Sequence, residues 1–368
     1  MPPITIVGAG IAGLALSLAL SRLGRRSVII ETAERLDPVG AGVQVPPNAF
    51  RVLQALELER ELNSVASAPR EIVIRDCRAD EPLVRVPVGA EAERRFGAPS
   101  LVVHRGDLQA ILLDAVHRSG RVDLRLGTPF EASGGAEGWL IGADGVNSTV
   151  RSIVRPHDPQ ASRTGTVAWR AMLPTRDLTS SHWRSTTGLV LAPGKHLVHY
   201  PVSSGTMLNL VLLAHDTGNA VVSNETLAPF NRYIGELELA REAWSSWPIA
   251  TVDENGGWFC GRTVLIGDAA HAMTPHAAQG GAMALEDAIT LAAALAAEEP
   301  RLEDWEKARR RRVARVAALS RRNKRIYWAS DPVRLARNMA MRSLPPALLT
   351  RGMDALYSWE PPAIRSRP

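Results

Sequence analysis

Cysteine is scarce. Only Cys77 and Cys260 occur, far apart and outside any Cys-x-x-Cys spacing, which excludes a disulfide framework and a thiolate metal site. A reducing, cytoplasmic location is the expectation. Long apolar runs are also missing, since no stretch approaches the ~20 uninterrupted apolar residues that a transmembrane helix needs. The short apolar run Leu14 to Leu20 has glycines before it and no basic segment, so it reads as folded structure and not as a secretion signal. Charge of one sign is not in large excess, the net charge being +5. Much of the basic surplus lies between Arg309 and Arg325, where Val313, Val316 and Leu319 recur at helical spacing. That run reads as a solvated helix face, and neither nucleic acid nor a membrane is an expected partner. Repeats and low-complexity tracts are absent, and neither His271 nor His276 has a metal-ligand spacing with another histidine or acid, so no metal is expected.

What is present is an ordinary globular balance, 45% apolar and 22% charged, in 368 residues. That is length for about two domains. Near the start, the β-rich run Ile4-Thr5-Ile6-Val7 leads into Gly8-Ala9-Gly10-Ile11-Ala12-Gly13, and Leu14, Leu18 and Leu20 then suggest a buried helix. Gly8 suits a tight turn, Gly10 a close approach of pyrophosphate to the backbone, and Gly13 close packing of helix on strand. The free N–H groups of the helix start favour phosphate. A second apolar strand, Ser27-Val28-Ile29-Ile30, ends in Glu31, eighteen positions after Gly13, where a ribose-binding acid belongs. This unit identifies a dinucleotide site without choosing between FAD and NAD.

Two further strands end in Gly-Asp turns. Trp139-Leu140-Ile141 runs into Gly142-Ala143-Asp144-Gly145, and Thr263-Val264-Leu265-Ile266 into Gly267-Asp268-Ala269-Ala270-His271, with Pro275, His276, Gly280 and Gly281 beyond. An aspartate at a strand end accepts hydroxyl donors, and a glycine-rich helix start accommodates a phosphate or flavin edge.

With these three motifs in this order, the chain resembles the single-component flavoprotein aromatic hydroxylases, the family of p-hydroxybenzoate, salicylate, 3-hydroxybenzoate and 6-hydroxynicotinate hydroxylases. The resemblance extends to about residue 320. Gly40-Ala41-Gly42-Val43-Gln44 is similar to the family segment that passes the flavin ring, and His104-Arg105-Gly106-Asp107-Leu108 to the start of a helix whose arginine contacts the FAD linker. The resemblance implies an α/β fold: a Rossmann-like FAD-binding domain of p-hydroxybenzoate hydroxylase type, interleaved with a β-sheet substrate domain and followed by C-terminal helices. Residues 1–69, 98–160 and 251–330 would form the first, 70–97 and 161–250 the second, and 331–368 the helical segment. It also implies noncovalent FAD held by Gly8, Gly10, Ala12, Gly13, Glu31, Val43, Arg105, Asp144, Asp268, Gly280 and Gly281. Glu31 would take the adenosine ribose, Arg105 and Asp268 the ribityl-pyrophosphate, and Gly280 and Gly281 the ring edge. A surface helix cap is the competing reading of Arg105. The chain departs from the family between Phe130 and Gly142, where a stretch with extra strands is shortened.

From Thr164 to Leu213 β-branched and aromatic residues alternate, with strands at 166–171, 196–201 and 209–213. Alternation places His196, Val198 and Tyr200 on one face and Leu197 and His199 on the other. His196 or Tyr200 is the expected acceptor of a phenolic proton, with Pro275 and His276 beside the substrate; hydrogen-bonded structural roles compete for both strand histidines and are favoured for His271. Trp244 and Trp247 read as core packing. The implied reaction is hydroxylation of a small phenolic or N-heteroaromatic compound, carboxylated or not, with NADH or NADPH and O2, through a flavin C4a-hydroperoxide. Because a second Gly-x-Gly-x-x-Gly is missing, the nicotinamide nucleotide is expected to bind transiently. A monomer or homodimer is expected. The alternatives are a non-oxygenating FAD reductase or dehydrogenase on the same fold, and a non-catalytic flavin-binding regulatory protein.

Overall fold

The computed structural model describes residues 3–36, 41–131, 138–157, 160–176, 178, 180–345 and 353–364. In chain order its strands begin with β1 (Ile4–Val7), β2 (Ser27–Ile30), β3 (Gly42–Val45), β4 (Glu71–Asp76) and β5 (Val84–Pro87). Next come β6 (Leu101–His104), β7 (Val122–Arg125), β8 (Trp139–Gly142), β9 (Ser162–Pro174) and β10 (Thr186–Ala192). The last are β11 (Lys195–Val202), β12 (Met207–His215), β13 (Ser245–Thr251), β14 (Phe259–Cys260) and β15 (Thr263–Leu265).

One sheet has the order β14-β15-β8-β1-β2-β7. β1 pairs in parallel with both β2 and β8, and β15 in parallel with β8. Strands covered on both faces carry continuous apolar sequence, and Ile4, Ile6, Ile29, Ile141 and Val264 are all essentially inaccessible. The helix Ile11–Arg22, buried through Leu14, Leu16, Leu18 and Leu20, connects β1 to β2 as a parallel crossover requires. The three sequence motifs thus stand at the ends of three neighbouring strands, β15, β8 and β1.

The other large sheet has the order β13-β9-β12-β11-β10-β4-β5 and is antiparallel except for the β10–β4 pair. It collects strands from two separated parts of the sequence, β4 and β5 from before the Arg105–Ser119 helix and β9 to β13 from after β8. The two-stranded antiparallel β3–β6 sheet, in register Val43↔Val103, lies against it, and Val102 packs with Tyr200 and Val202. The shortened segment before Gly142 includes residues 132–137, which lie outside the described residues.

The basic run departs from the solvated-face expectation. In the Leu302–Tyr327 helix, Arg309 and Arg312 are only 3% and 8% exposed, while Arg310 is half-buried and Arg311 is exposed. The reason is the neighbouring Gly280–Ala296 helix, which buries Glu286 and Asp287 completely. Arg309 donates to Glu286 Oε2 and Asp287 Oδ1, both at 2.7 Å, and Arg312 donates to the two Glu286 oxygens at 3.0 and 2.8 Å. Buried carboxylates need such partners. An acidic pair inside an apolar helix was the sequence signal that two of the arginines turn inward. Past that helix, Arg334, Arg337 and Asn338 of the Val333–Ser343 helix converge on Asp76 at the end of β4, at 2.9, 2.8 and 2.9 Å.

Candidate active site

The three glycine-containing turns touch one another. Gly8 has φ +103°, accessible to glycine at little cost, and a Cβ there would lie 2.5 Å from the Ala143 carbonyl oxygen. A Cβ on Gly13 would collide with the Gly8 carbonyl oxygen. Ala12 lies against Gly267, where an added Cβ would sit 3.2 Å from the alanine methyl. Gly10, which precedes the helix, has no neighbour within 4 Å of its Cβ position. Small residues at 8, 12, 13 and 267 therefore bring first, central and late motifs together, and Gly10 leaves backbone approachable beside them.

Around this point several carboxylates collect. Glu31 accepts from Ala9 N–H at 2.8 Å and Ala33 N–H at 2.9 Å, so its carboxylate reaches the glycine turn. Asp144 Oδ2 accepts from the N–H groups of Thr149 and Val150, whereas its buried Oδ1 has no partner among the described residues. Asp268 is accessible to solvent just past the end of β15. Burial raises its carboxyl above the usual range, with His271 and Arg105 opposing and Asp287 adding to the rise. Its turn is fixed from behind: Asp287 Oδ2 accepts from Gly267 N–H at 2.9 Å and bonds His271 Nε2 at 2.6 Å. Burial pushes Asp287 up, but the charges of His271 and Arg309 overcome it and the net displacement is downward. His271 is accordingly structural. Arg105 opens the Arg105–Ser119 helix with its N–H on the Ala41 carbonyl, its side chain exposed and its charge felt at Asp268. Sequence reasoning missed Gln109, one turn along that helix, which donates to the Ala9 carbonyl at 2.8 Å.

Gly280 and Gly281 begin the Gly280–Ala296 helix, and a Cβ on Gly281 would meet Val43 at 3.5 Å. The β3 segment and the late helix start are thus neighbours. An approachable glycine backbone, an orphaned Asp144 oxygen, an accessible Asp268 and a basic Arg105 suit the hydroxyls, pyrophosphate and ring edge of FAD.

The seven-stranded sheet meets this region from its even-numbered face on β11. Tyr200 donates to the Gly42 carbonyl at 2.6 Å and leaves no room for a side chain at Gly42, while Asn209 Oδ1 accepts from Gly42 N–H at 3.0 Å. Burial raises the Tyr200 hydroxyl above its usual range, Arg170 opposing. With its proton committed to a carbonyl, Tyr200 ties the large sheet to β3 and is poorly suited to the expected role of base. His196 is 1% exposed and accepts at Nδ1 from Trp328 Nε1–H at 2.8 Å. Its ring centroid lies 5.2 Å from that of His276, which belongs to the late motif and whose two buried nitrogens have no partner among the described residues. Burial lowers both histidines, His196 well below 6.5 with His276 contributing, and His276 to about 4 with Lys324 contributing. Pro275 is exposed beside them, at the start of the single turn Pro275–Ala277.

The opposite face separates as alternation requires. His199 is fully buried there, bonded through Nε2 to the Tyr233 hydroxyl at 2.7 Å and set edge-on to Trp183, ring centroids 4.5 Å apart. Burial, with His182 and Arg75, lowers it to about 3. Trp244 is core, as expected, but Trp247 is 40% exposed, because β13 turns it toward Ala168 on the cofactor-facing side. Arg170, unrecognised in the sequence, stands 5.1 Å over the Trp247 ring. The register Arg170↔Val211↔Val198 gives it the face of His196 and Tyr200. Its Nε is buried and unpartnered among the described residues. A lone arginine in the apolar run Val167-Ala168-Trp169-Arg170-Ala171-Met172 was the available signal. A separate recess of about 620 Å³ between Thr290, Trp305 and Trp359 is open and remote from these motifs. Among the described residues no His/Cys/Asp/Glu cluster suits a metal, and no helix is long and apolar enough to cross a membrane.

A family profile described as an FAD binding domain matches residues 2–320. The 3-hydroxybenzoate 6-hydroxylase of Polaromonas naphthalenivorans strain CJ2 is 33% identical, over 97% of this chain and 96% of its own. The 6-hydroxynicotinate 3-monooxygenase of Bordetella bronchiseptica is 32% identical, over 90% and 94%. Among solved structures, Klebsiella pneumoniae HpxO complexed with FAD and uric acid shares the fold with TM-score 0.83 at 23% identity, over 97% of this chain and 96% of its own. A salicylate hydroxylase substrate complex gives 0.77 at 24%, over 98% and 96%. With its three motifs converged and a second sheet set against them, the chain belongs to the FAD-dependent aromatic monooxygenases.

Proposed function

We propose that the substrate is a small phenolic or N-heteroaromatic compound, hydroxylated between the His196 face of the substrate sheet and the late Gly-Asp motif. The observation that carries this reading is the approach of His196 to His276, ring centroids 5.2 Å apart, which joins the two sheets' polar groups at one point. Bound FAD would supply the redox chemistry, taking hydride from NADH or NADPH and delivering one oxygen atom of O2 to the ring. The residues proposed to hold it are Gly8, Gly10, Ala12, Gly13 and Glu31 at the adenosine end, Arg105, Asp144 and Asp268 along the linker, and Val43, Gly280 and Gly281 at the ring edge. The protein's own work is orientation, exclusion of water and control of charge on the substrate oxygen. His196 and His276 are neutral and suited to that oxygen. Arg170 supports a further substituent, a carboxylate, because its guanidinium faces the same side and keeps an unsatisfied buried donor.

The domain division at 70–97 and 161–250 for the substrate part follows from the same reading, as does a cytoplasmic monomer or homodimer using the nicotinamide nucleotide transiently. The experiment is a screen of phenolic and pyridine carboxylates for stimulated NAD(P)H oxidation and O2 uptake, with product identification. Stimulation together with a hydroxylated product supports the reading. Stimulated oxidation with no oxygen consumed returns the protein to the reductases.

A further inference from the structure

Trp328 ends the Leu302–Tyr327 helix, and its position is well fixed. Its N–H donates to the Lys324 carbonyl at 3.0 Å, its own carbonyl accepts from Gly194 N–H at 3.1 Å, and the Lys324 ammonium lies 4.6 Å from its ring centroid. That ammonium is itself held by Thr166 Oγ1 at 3.0 Å. The indole N–H, 2.8 Å from His196 Nδ1, has only a donor to offer. Nδ1 must therefore present its lone pair, and in a neutral imidazole the single proton then sits on Nε2. The same contact opposes the imidazolium, whose Nδ1–H would point at the indole N–H across 2.8 Å.

We infer that Trp328 fixes His196 as the Nε2–H tautomer, so that His196 donates a hydrogen bond to the ionised oxygen of a phenolic substrate and is not the base that takes its proton. This rests on the hydroxylation site proposed above. Other titratable groups near the ring do not replace it as a base. Tyr200 keeps its proton and donates it in a hydrogen bond to the Gly42 carbonyl, and Tyr327, 5.3 Å away, is raised to about 12 by burial. His276 at about 4 is roughly a thousandfold weaker as a base than one poised at neutrality. His215 lies beyond Trp328, 4.8 Å from its ring, and Lys324 is a cation. On binding, the substrate O–H bond breaks, the proton passes to bulk water, and the electron pair left on oxygen is held by His196 Nε2–H. Trp328 is a positioning residue, acting through His196.

Two readouts on the FAD-loaded protein test this. Long-range ¹H–¹⁵N spectra of the imidazoles report the tautomer directly without any substrate: His196 is expected with Nε2 protonated and Nδ1 bare at neutral pH, and with both tautomers in Trp328→Phe. A protonated Nδ1 in the unmodified protein overturns the inference. The second readout is the ionisation midpoint of bound 3-hydroxybenzoate by ultraviolet difference absorbance. His196→Gln keeps a neutral donor but has no basic nitrogen, so its midpoint is expected near that of the unmodified protein. His196→Ala is expected to raise the midpoint by about one pH unit, a tenfold loss of the ionised form. If His196→Gln behaves like His196→Ala, the donor role is wrong. Failure of 3-hydroxybenzoate and other phenols to bind at all would remove the site reading, while the tautomer would still be decided by the spectra.

Discussion

Two regions of the molecule handle buried polarity in opposite ways. Behind the late motif, Glu286, Asp287, Arg309 and Arg312 are all nearly inaccessible, and each is matched by charged or backbone partners at hydrogen-bond distance. On the His196 face of the seven-stranded sheet and in the Pro275–Ala277 turn beside it, Arg170 Nε, Asn209 Nδ2 and both His276 nitrogens are buried without partners among the described residues. Native interiors rarely leave such groups unmatched. The paired network holds Gly267 and hence the Asp268 turn in place, whereas the unpaired groups are free to meet the ring substituents of the substrate proposed above. The contrast is between these two sets of residues, since unpartnered buried atoms also occur elsewhere, among them His271 Nδ1, Asn48 Oδ1 and His199 Nδ1.

Breaking the paired region is expected to have the largest effect. Arg309→Met leaves Glu286 and Asp287 short of a cation, and removing one partner of a buried pair costs about 3–5 kcal/mol. Arg311, exposed on the same helix, provides the contrast: Arg311→Gln is expected to change stability by less than about 0.5 kcal/mol. Urea unfolding of both variants checks this, and equal losses would show that the helix does not discriminate its two faces energetically.

At the seam between the regions, Asp268→Ala is expected to weaken FAD retention. Losing a hydrogen bond to a charged group costs about 1.5–3 kcal/mol, or about tenfold to a hundredfold in affinity. Fluorescence titration of apoprotein with FAD measures it. Unchanged affinity would separate the late motif from the cofactor.

On the substrate sheet, His199 stays neutral to about pH 3 when folded, against an unperturbed value near 6.5. The unfolded chain therefore binds the extra proton between those values. Stability from this residue is present in full above about pH 6.5 and is lost as pH falls, by about 1.4 kcal/mol per unit. His199→Leu should reduce the pH dependence of unfolding free energy between pH 5 and 6 by about that amount per unit. An unchanged slope would mean that His199 is protonated in the fold.

Among the changes to the site, a smaller one is expected in Tyr200→Phe, which loses the bond to the Gly42 carbonyl and about 1 kcal/mol of stability. Hydroxylation per NAD(P)H consumed should fall little. A collapse of that ratio would return Tyr200 to the role of proton carrier.

Local sequence was informative where a motif needs contiguous residues. Strand, glycine turn and helix at Gly8 to Gly13 follow from backbone geometry, and the face shared by His196 and Tyr200 follows from the two-residue strand period. What could not be read depends on distant partners. The burial of Arg309 and Arg312 is set by Glu286 and Asp287 on another helix, and Trp247 is turned outward by its register with Ala168. Trp328 reaches His196 from 132 residues away, with no periodicity to announce it. Arg170 was visible as a charge in an apolar strand, but only the register through β12 to β11 gives it the same side as His196.

The central claim is that these two sheets enclose an oxygen-inserting site for a small phenolic ring. Turnover of a phenolic carboxylate under ¹⁸O2 with NAD(P)H and FAD tests it most directly, by mass spectrometry of the product. The account predicts one labelled oxygen atom in each hydroxylated product molecule, with the other oxygen appearing as water. Unlabelled product, or peroxide as the sole fate of the oxygen with every phenolic substrate that binds, would contradict it.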